Sequence, residues 1–272
     1  MNIDSLYLIG KSHKVCQDYA IHGEIEGNPY FIVSDGCSSS KNVDIGARIL
    51  AQSAKLALIS MYKGLDISVK QYSEFGTLAI GRSAVIVDGL QVSRECLDAT
   101  LMVGFIKNDE VIIYIYGDGV ILLKDANGMY KYLNVQFTEN APYYLTYWYS
   151  PDKLSSYFYY FNQAMEITEF DSNNIGDGNN GKKINRCDVD SPLIYNFKLS
   201  DINSIVLSTD GINSFVRDNV MPYDIDAVAP GFMSFKNTKG EFLKRRIERH
   251  LDELAKQNIH HYDDIGMAGI TL

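Results

Sequence analysis

Ala99-Thr-Leu-Met-Val-Gly-Phe-Ile106, Lys107-Asn-Asp-Glu110 and Val111-Ile-Ile-Tyr-Ile-Tyr116 follow one another as strand, turn and strand. The two apolar runs are rich in β-branched and aromatic residues, and the segment between them is short and polar, which is the signature of an antiparallel pair. Beyond Gly117-Asp118-Gly119, the run Val120 to Leu123 predicts a third strand. Asp125-Ala-Asn-Gly128 then turns the chain into Met129 to Val135. Together these runs read as an antiparallel meander.

Outward from this meander, strand and helix signals alternate. Phe31 to Ser34 and Ile205 to Thr209 are further strands, and Ile265 to Leu272 closes the chain as another. Ile45, Ile49, Leu50, Ala54, Ala57, Leu58 and Met61 recur at helical spacing, with Asn42 or Asp44 expected as the cap. Arg82 to Val92 reads as a hairpin turning at Asp88-Gly89. Short helices are expected over Ile212 to Asp218 and Tyr223 to Ala229. A longer amphipathic one over Lys239 to Gln257 carries Leu243, Ile247, Leu251 and Leu254 on one face. Residues 140 to 190 differ in composition, with aromatic blocks at 142 to 149 and 157 to 161 and an Asn/Gly-rich loop at 171 to 183. No internal repeat or long linker separates these parts. The expected fold is α+β, one domain over residues 1–272, with sheets packed together and helices outside.

The totals narrow the function. The 272 residues are 46% hydrophobic, enough for a sizeable core. Lys+Arg 25 against Asp+Glu 34 gives a net charge of -9, which disfavours a nucleic-acid partner. The first residues lack a basic stretch followed by an apolar run, and no segment reaches the length of a membrane span, so a cytoplasmic protein with no membrane partner is expected. Cys16, Cys37, Cys96 and Cys187 form no C-x-x-C pair, and reduced thiols are expected.

Acidic residues recur at strand ends. Asp35 and Asp210 each end a strand and precede polar residues and a helix, so neither reads as a hairpin turn. Asp118 suits either a turn or a site, whereas Asp263 starts the last strand and Asp18 precedes Tyr19 to Ile21. Converging carboxylates repel one another unless divalent cations neutralise them, and an all-oxygen donor set favours Mg²⁺ or Mn²⁺ over zinc. His260-His261 reads as exposed polar sequence near a helix end. Gly176 to Lys183 approaches a phosphate-binding loop, but Lys183 stands where Ser or Thr would hold Mg²⁺. Cys37 has no Arg beside it to stabilise a nucleophilic thiolate.

Taken in order, several motifs resemble the metal-dependent PP2C (PPM) protein phosphatases, above all their bacterial branch. They are Gly10-Lys-Ser-His13, Gln17-Asp18, Val33-Ser-Asp35-Gly36, Gly46-Ala47 and Ala99-Thr100. Gly117-Asp118-Gly119, Leu207-Ser-Thr-Asp210-Gly211 and Asp263-Asp264-Ile265 complete the set. The resemblance implies a central antiparallel β-sandwich flanked by helices on both sides, in four layers. It also implies a two-metal Mn²⁺ or Mg²⁺ centre with Asp18, Asp35, Gly36, Asp118, Asp210 and Asp263 as ligands. Asp35 would bridge both ions, and Asp118 would serve a third, weaker one. The expected activity is hydrolysis of phosphoserine or phosphothreonine in proteins by a metal-bridging hydroxide, in opposition to a Ser/Thr kinase. Asp35, Asp210 and His13 would be catalytic.

Three positions depart from the family pattern. His13 stands where many members carry a phosphate-gripping Arg, so Lys11, His13 and Lys14 are the expected phosphate contacts. Cys37 replaces a His that eukaryotic members place after Asp-Gly, leaving His13 or solvent as proton donor. Gly266 replaces a Ser or Thr in the last motif. These departures keep two rivals open: a pseudophosphatase or binding module of the same fold, and a phosphatase of small phosphorylated molecules.

Overall fold

A buried stripe decides the helices. The computed structural model describes residues 1–64, 71–161, 165–171, 182–186 and 191–272. In chain order its main elements are β1 (Asn2–Leu8), β2 (Asp18–Ile25), β3 (Asn28–Asp35), α1 (Val43–Tyr62), α2 (Tyr72–Gly89), β4 (Leu101–Lys107), β5 (Glu110–Tyr116), β6 (Gly119–Asp125), β7 (Tyr130–Phe137) and α3 (Pro151–Tyr160). They continue with β8 (Met165–Asp171), β9 (Lys182–Arg186), β10 (Leu193–Lys198), β11 (Ile202–Ser208), β12 (Phe215–Arg217), β13 (Met221–Pro222), α4 (Ile225–Phe232), α5 (Phe242–Ala255), β14 (Ile259–His261) and β15 (Ile265–Thr271).

Among the described residues the strands form antiparallel sheets in the orders β1-β15-β11-β6-β7-β8-β9, β10-β5-β4-β3-β2 and β13-β12-β14. Three layers of apolar side chains bind the stack. Leu50, Ala54 and Leu58 of α1 with Phe75 and Ala79 of α2 pack on Ile32, Val103 and Tyr114 of the five-stranded sheet. Phe31, Val33, Ile113 and Ile115 meet Ile121, Ile205, Leu207 and Ile270 between the two large sheets. Val120, Leu122 and Met267 pack outward against Val228, Phe232, Leu243 and Ile247 of α4 and α5. β4, β5 and β6 are therefore covered on both faces, which is why they read as continuous apolar runs.

The structure corrects several local expectations. The residues expected to form a hairpin at 82–92 belong to α2 and the turn after it. Tyr72, Phe75, Gly76, Ala79, Ile80, Ser83 and Val87 form a buried stripe at three- and four-residue spacing. Asp88-Gly89 ends this helix, and Asp88 Oδ1 accepts from Arg94 Nε at 2.9 Å. The meander is also divided. β4 pairs with β5 and β6 with β7, but β5 and β6 lie in different sheets. Gly117 (φ 94°) and Gly119 (φ 138°) carry the chain across in backbone conformations that side chains rarely adopt.

Past Asp210, a single turn at Asp210–Asn213 leads into β12 rather than a helix, because Phe215 and Val216 pair with His261 and His260. His260 and His261 are consequently half-buried strand residues, not an exposed helix end. Asn42 occupies the start of α1 in the left-handed region (φ 57°) with no side-chain cap. Asp4 of β1 does cap a helix: its Oδ2 accepts from the backbone N–H groups of Leu243 (2.8 Å) and Lys244 (3.1 Å) at the start of α5. Cys16, Cys37 and Cys96 are free thiols; Cys187 and residues 172–181 of the Asn/Gly-rich stretch lie outside the described residues.

Candidate metal centre

Strand register brings the carboxylates together. Asp18 begins β2 and Asp35 ends β3, and the two are direct cross-strand partners. At one end of the seven-stranded sheet, Ser208 pairs with Val120 and with Met267. Asp118, Asp210 and the pair Asp263-Asp264 therefore emerge at that same end. Because the two sheets pack face to face, these ends meet. The Asp35 carboxyl comes within hydrogen-bonding reach of both Asp18 and Asp210.

The backbone around Asp35 is fixed from the neighbouring strand. Thr100 N–H donates to Asp35 O at 2.8 Å, Ser34 Oγ donates to Thr100 O at 2.7 Å, and Gly36 bridges Ala99. Asp18 is 2% exposed and accepts a 2.6 Å hydrogen bond from Thr209 Oγ1. Gly266 N–H donates to the same hydroxyl at 2.9 Å. A Cβ on Gly266 would lie 3.2 Å from Thr209 Cγ2 and 3.4 Å from Asp18 Oδ2. Thr209 Oγ1 thus joins the Gly266 amide to the Asp18 carboxyl, and a side chain at 266 would crowd it.

The electrostatics follow from burial and crowding. Burial, opposed by bonds from Asp35 and Thr209 and aided by Asp210 and Asp264, pushes Asp18 up to about 7. Asp35 is held well above the ordinary carboxylate value by burial, then by Asp18 and Asp210. Asp118 is raised by burial, then by Asp210. Burial and Asp263 push Asp210 up to about 6. No Lys or Arg ranks among the main influences on any of these four carboxyls.

His13 lies against the acidic pair Asp263 and Asp264. Its Nδ1 lies 2.9 Å from Asp264 Oδ2 and 3.5 Å from Asp263 Oδ1, as an ion pair rather than an aligned hydrogen bond. Burial alone would lower the imidazole pKa, but Asp264, Asp263 and Asp18 together raise it.

Asp264, which the sequence reading left without a role, organises the N-terminal loop. It is 2% exposed, and its two oxygens accept from Gly10 N–H (2.7 Å) and Gln17 N–H (2.6 Å). Asp263 is half exposed and lies beside Asp210. The two acids sit in the short connection between β14 and β15, where Asp264 is turned inward to anchor the backbone and Asp263 stays half exposed. The three residues expected to grip phosphate are dispersed. His13 is turned to the two aspartates, Lys14 is exposed, and Lys11 lines a separate polar cavity.

The aromatic insert forms a wall of this site, and Asp98 fastens it there. Asp98 O accepts from Cys37 N–H at 2.8 Å, tying it to the loop after Asp35. Its carboxylate accepts from Ser40 Oγ (3.1 Å), Thr146 Oγ1 (2.7 Å) and Lys153 Nζ (2.7 Å and 2.9 Å). The buried phenol of Tyr144 reaches Cys37, close to Asp118 and Asp35. The single tryptophan, Trp148, stands with its ring 6.0 Å from that of Tyr116 and 6.3 Å from that of Tyr72. Asp98→Ala is expected to cost about 2 kcal/mol, the scale of a hydrogen bond to a charged group, and to lower Tm by roughly 5 °C. Trp148 emission should shift to the red as the insert loosens. Unchanged Tm and emission would show that Asp98 does not hold the insert.

Among the described residues, no three His, Cys, Asp or Glu side chains stand together as a ready-made metal cage. The donor set nevertheless suits hard divalent cations: it is all carboxylate oxygen, mutually repelling, and lacks protein cations apart from His13.

Residues 9–253 match the family model for protein phosphatase 2C, and the chain belongs to that family. No curated relative matches it by sequence. The Staphylococcus aureus serine/threonine phosphatase Stp1 has a similar fold (TM-score 0.56, 12% identity, covering 100% of this chain and 95% of Stp1). So does the S. agalactiae serine/threonine phosphatase (TM-score 0.56, 16% identity, covering 99% and 98%). The helix–sheet–sheet–helix layering expected from the motifs is the fold these proteins share. Family and fold together support a protein serine/threonine phosphatase kind of function.

Proposed function

We propose that this protein hydrolyses phosphoserine or phosphothreonine in proteins at a centre holding two Mn²⁺ or Mg²⁺ ions. The observation that carries this reading is the buried convergence of Asp18, Asp35 and Asp210, a crowd of carboxyl oxygens that divalent cations would occupy in place of protons. When bound, the ions would supply an activated water and neutralise charge on the phosphoryl oxygens. Asp18, Asp35, the Gly36 carbonyl, Asp210 and Asp263 would hold the two ions. Asp118 would serve a third, weaker ion.

His13, held by Asp264 and Asp263, would hold a proton at the edge of the centre for the leaving serine or threonine oxygen. Tyr144 and Cys37 would bound the pocket on the side of Asp118. The whole chain, residues 1–272, would form one such domain, cytoplasmic and acting against a Ser/Thr kinase, with residues 140–190 as an insert. Among the described residues no helix is long and apolar enough to cross a membrane.

The test is hydrolysis of phosphoserine and phosphothreonine peptides by the full chain with Mn²⁺ or Mg²⁺, set against EDTA. Turnover that EDTA leaves intact would overturn the metal centre. Absence of turnover, with no Mn²⁺ binding by calorimetry, would favour a non-catalytic member of the family.

Thr209→Val removes the hydroxyl that orients Asp18 while keeping the side-chain volume. It is expected to weaken Mn²⁺ binding about tenfold, the scale for losing a group that positions a metal ligand. Calorimetric titration measures it, and an unchanged affinity would leave Thr209 with a packing role only.

A further inference from the structure

Close in sequence to His13 and Asp263 lies a cavity of about 270 Å³, lined by Lys11, Asp218, Asn219, Asn258 and His260. All five lining residues are polar or charged. Lys11 is exposed and forms no ion pair among the described residues. Tyr262 Oη donates to Asn219 Oδ1 at 2.9 Å, so the bond to Tyr262 occupies the amide oxygen rather than its N–H groups. Asp218 N–H donates to Asn258 O at 2.9 Å, joining the two loops that form the floor. Burial and the Lys11 charge hold His260 below the ordinary imidazole value, so Lys11 is the cavity's cation at neutral pH. Asp218 is its one acid.

The cavity is stitched to the site. Lys11 N–H donates to His261 O and Ser12 N–H to Tyr262 O (3.0 Å), and two residues further on His13 touches Asp264 and Asp263. Two residues of chain span at most about 7 Å between Cα atoms. An extended peptide rises about 3.3 Å per residue, so a side chain two or three positions from a phosphorylated residue travels roughly 7–10 Å. Lys11 therefore lies no further along the chain from His13 than such a side chain can reach.

We propose that this cavity is a subsite for an acidic side chain, Asp or Glu, two or three residues from the phosphorylated residue of the substrate. Lys11 is its cation, and the amides of Asn219 and Asn258 supply hydrogen bonds. This inference rests on the phosphoprotein reading above and narrows it to phosphosites flanked by acids. The residue expected to grip the scissile phosphate thereby becomes a specificity determinant.

The test compares phosphoserine peptides carrying Glu or Gln at each position from three before to three after the phosphoserine. Glu at one of the outer positions is expected to raise kcat/KM about three- to fivefold over Gln, the scale of an exposed ion pair. Lys11→Glu should abolish or reverse that preference. Asp218→Asn should enlarge it, while p-nitrophenyl phosphate, which has no flanking residue, is hydrolysed at the wild-type rate.

Equal rates on Glu and Gln peptides at every position would overturn the subsite. So would a Lys11→Glu protein that loses the same factor on all substrates, because Lys11 would then act on the reacting phosphate. The same peptides, fluorescently labelled, are titrated by anisotropy in EDTA, where no turnover is needed. Discrimination there without any hydrolysis would overturn the phosphatase reading alone; no discrimination in either measurement overturns the subsite.

Discussion

Asp35→Asn is expected to lower phosphatase activity at least about a hundredfold while making the metal-free protein more stable. The loss follows from removing a carboxylate proposed to hold the ions, since even groups that merely orient a metal ligand are worth about 10–100-fold. The gain follows from repulsion. Asp35 is buried within reach of Asp18 and Asp210, and both of those charges raise its proton affinity, while its bonds to them oppose the rise in theirs. An amide at position 35 removes the central charge and still offers hydrogen bonds to both neighbours. In EDTA at pH 7.5 the variant should therefore melt above the wild type, and with Mn²⁺ below it. Asp210→Asn should behave in the same way. A variant that keeps its activity would sink the mechanism. One that loses activity and metal-free stability together would make Asp35 a structural residue.

The second large effect is a metal-dependent reversal of the pH profile of stability. In the folded chain Asp18 is raised to about 7 and Asp210 to about 6, from an ordinary value of 3.8, and Asp35 and Asp118 are also raised. Between pH 4 and pH 7 the folded state thus holds protons that the unfolded state has lost. Stability then falls as pH rises, by up to about 1.4 kcal/mol per pH unit for each proton so held. His13, raised by the same carboxylates, contributes in the same direction: its share is present below the ordinary imidazole value and is lost as pH climbs through the raised one.

In EDTA, Tm should accordingly drop between pH 5 and pH 7.5. Divalent ions compete with those protons for the same oxygens. Mn²⁺ or Mg²⁺ at a hundred times its Kd would restore about 2.7 kcal/mol, and more of that gain should appear at pH 7.5 than at pH 5. Differential scanning calorimetry at the two pH values, with and without metal, measures all four states. A metal-free Tm that is flat or rises over this range would mean that the carboxylates are not crowded as described.

Local sequence determined much of the scaffold. The strand runs of β4, β5 and β6 are apolar because they are covered on both faces, and the stripes of α1 and α5 are long enough to give a clear period. Pattern failed where one local signal had two uses. Asp88-Gly89 is both a favoured hairpin turn and a serviceable helix end, and only the packing of Phe75, Ala79 and Val87 against α1 and the sheet beyond it decides between them. Gly117-Asp118-Gly119 looked like a turn within one sheet, yet its two positive-φ glycines send the chain to the other.

The strand-end aspartates were visible one at a time. Their meeting depends on register, with Asp18 opposite Asp35 and Ser208 between Val120 and Met267, and register is a property of pairing that no single strand carries. The same holds for what was missed. Asp264 gains its role from amides some 250 residues away, Thr209 from a carboxylate on another sheet, and Asp98 from an insert whose aromatic composition said only that it would pack. The sequence by itself therefore determined which residue types were present and which elements they would form. Tertiary structure alone decided which of them touch, because contacts across packed sheets are set by the shape of the whole chain.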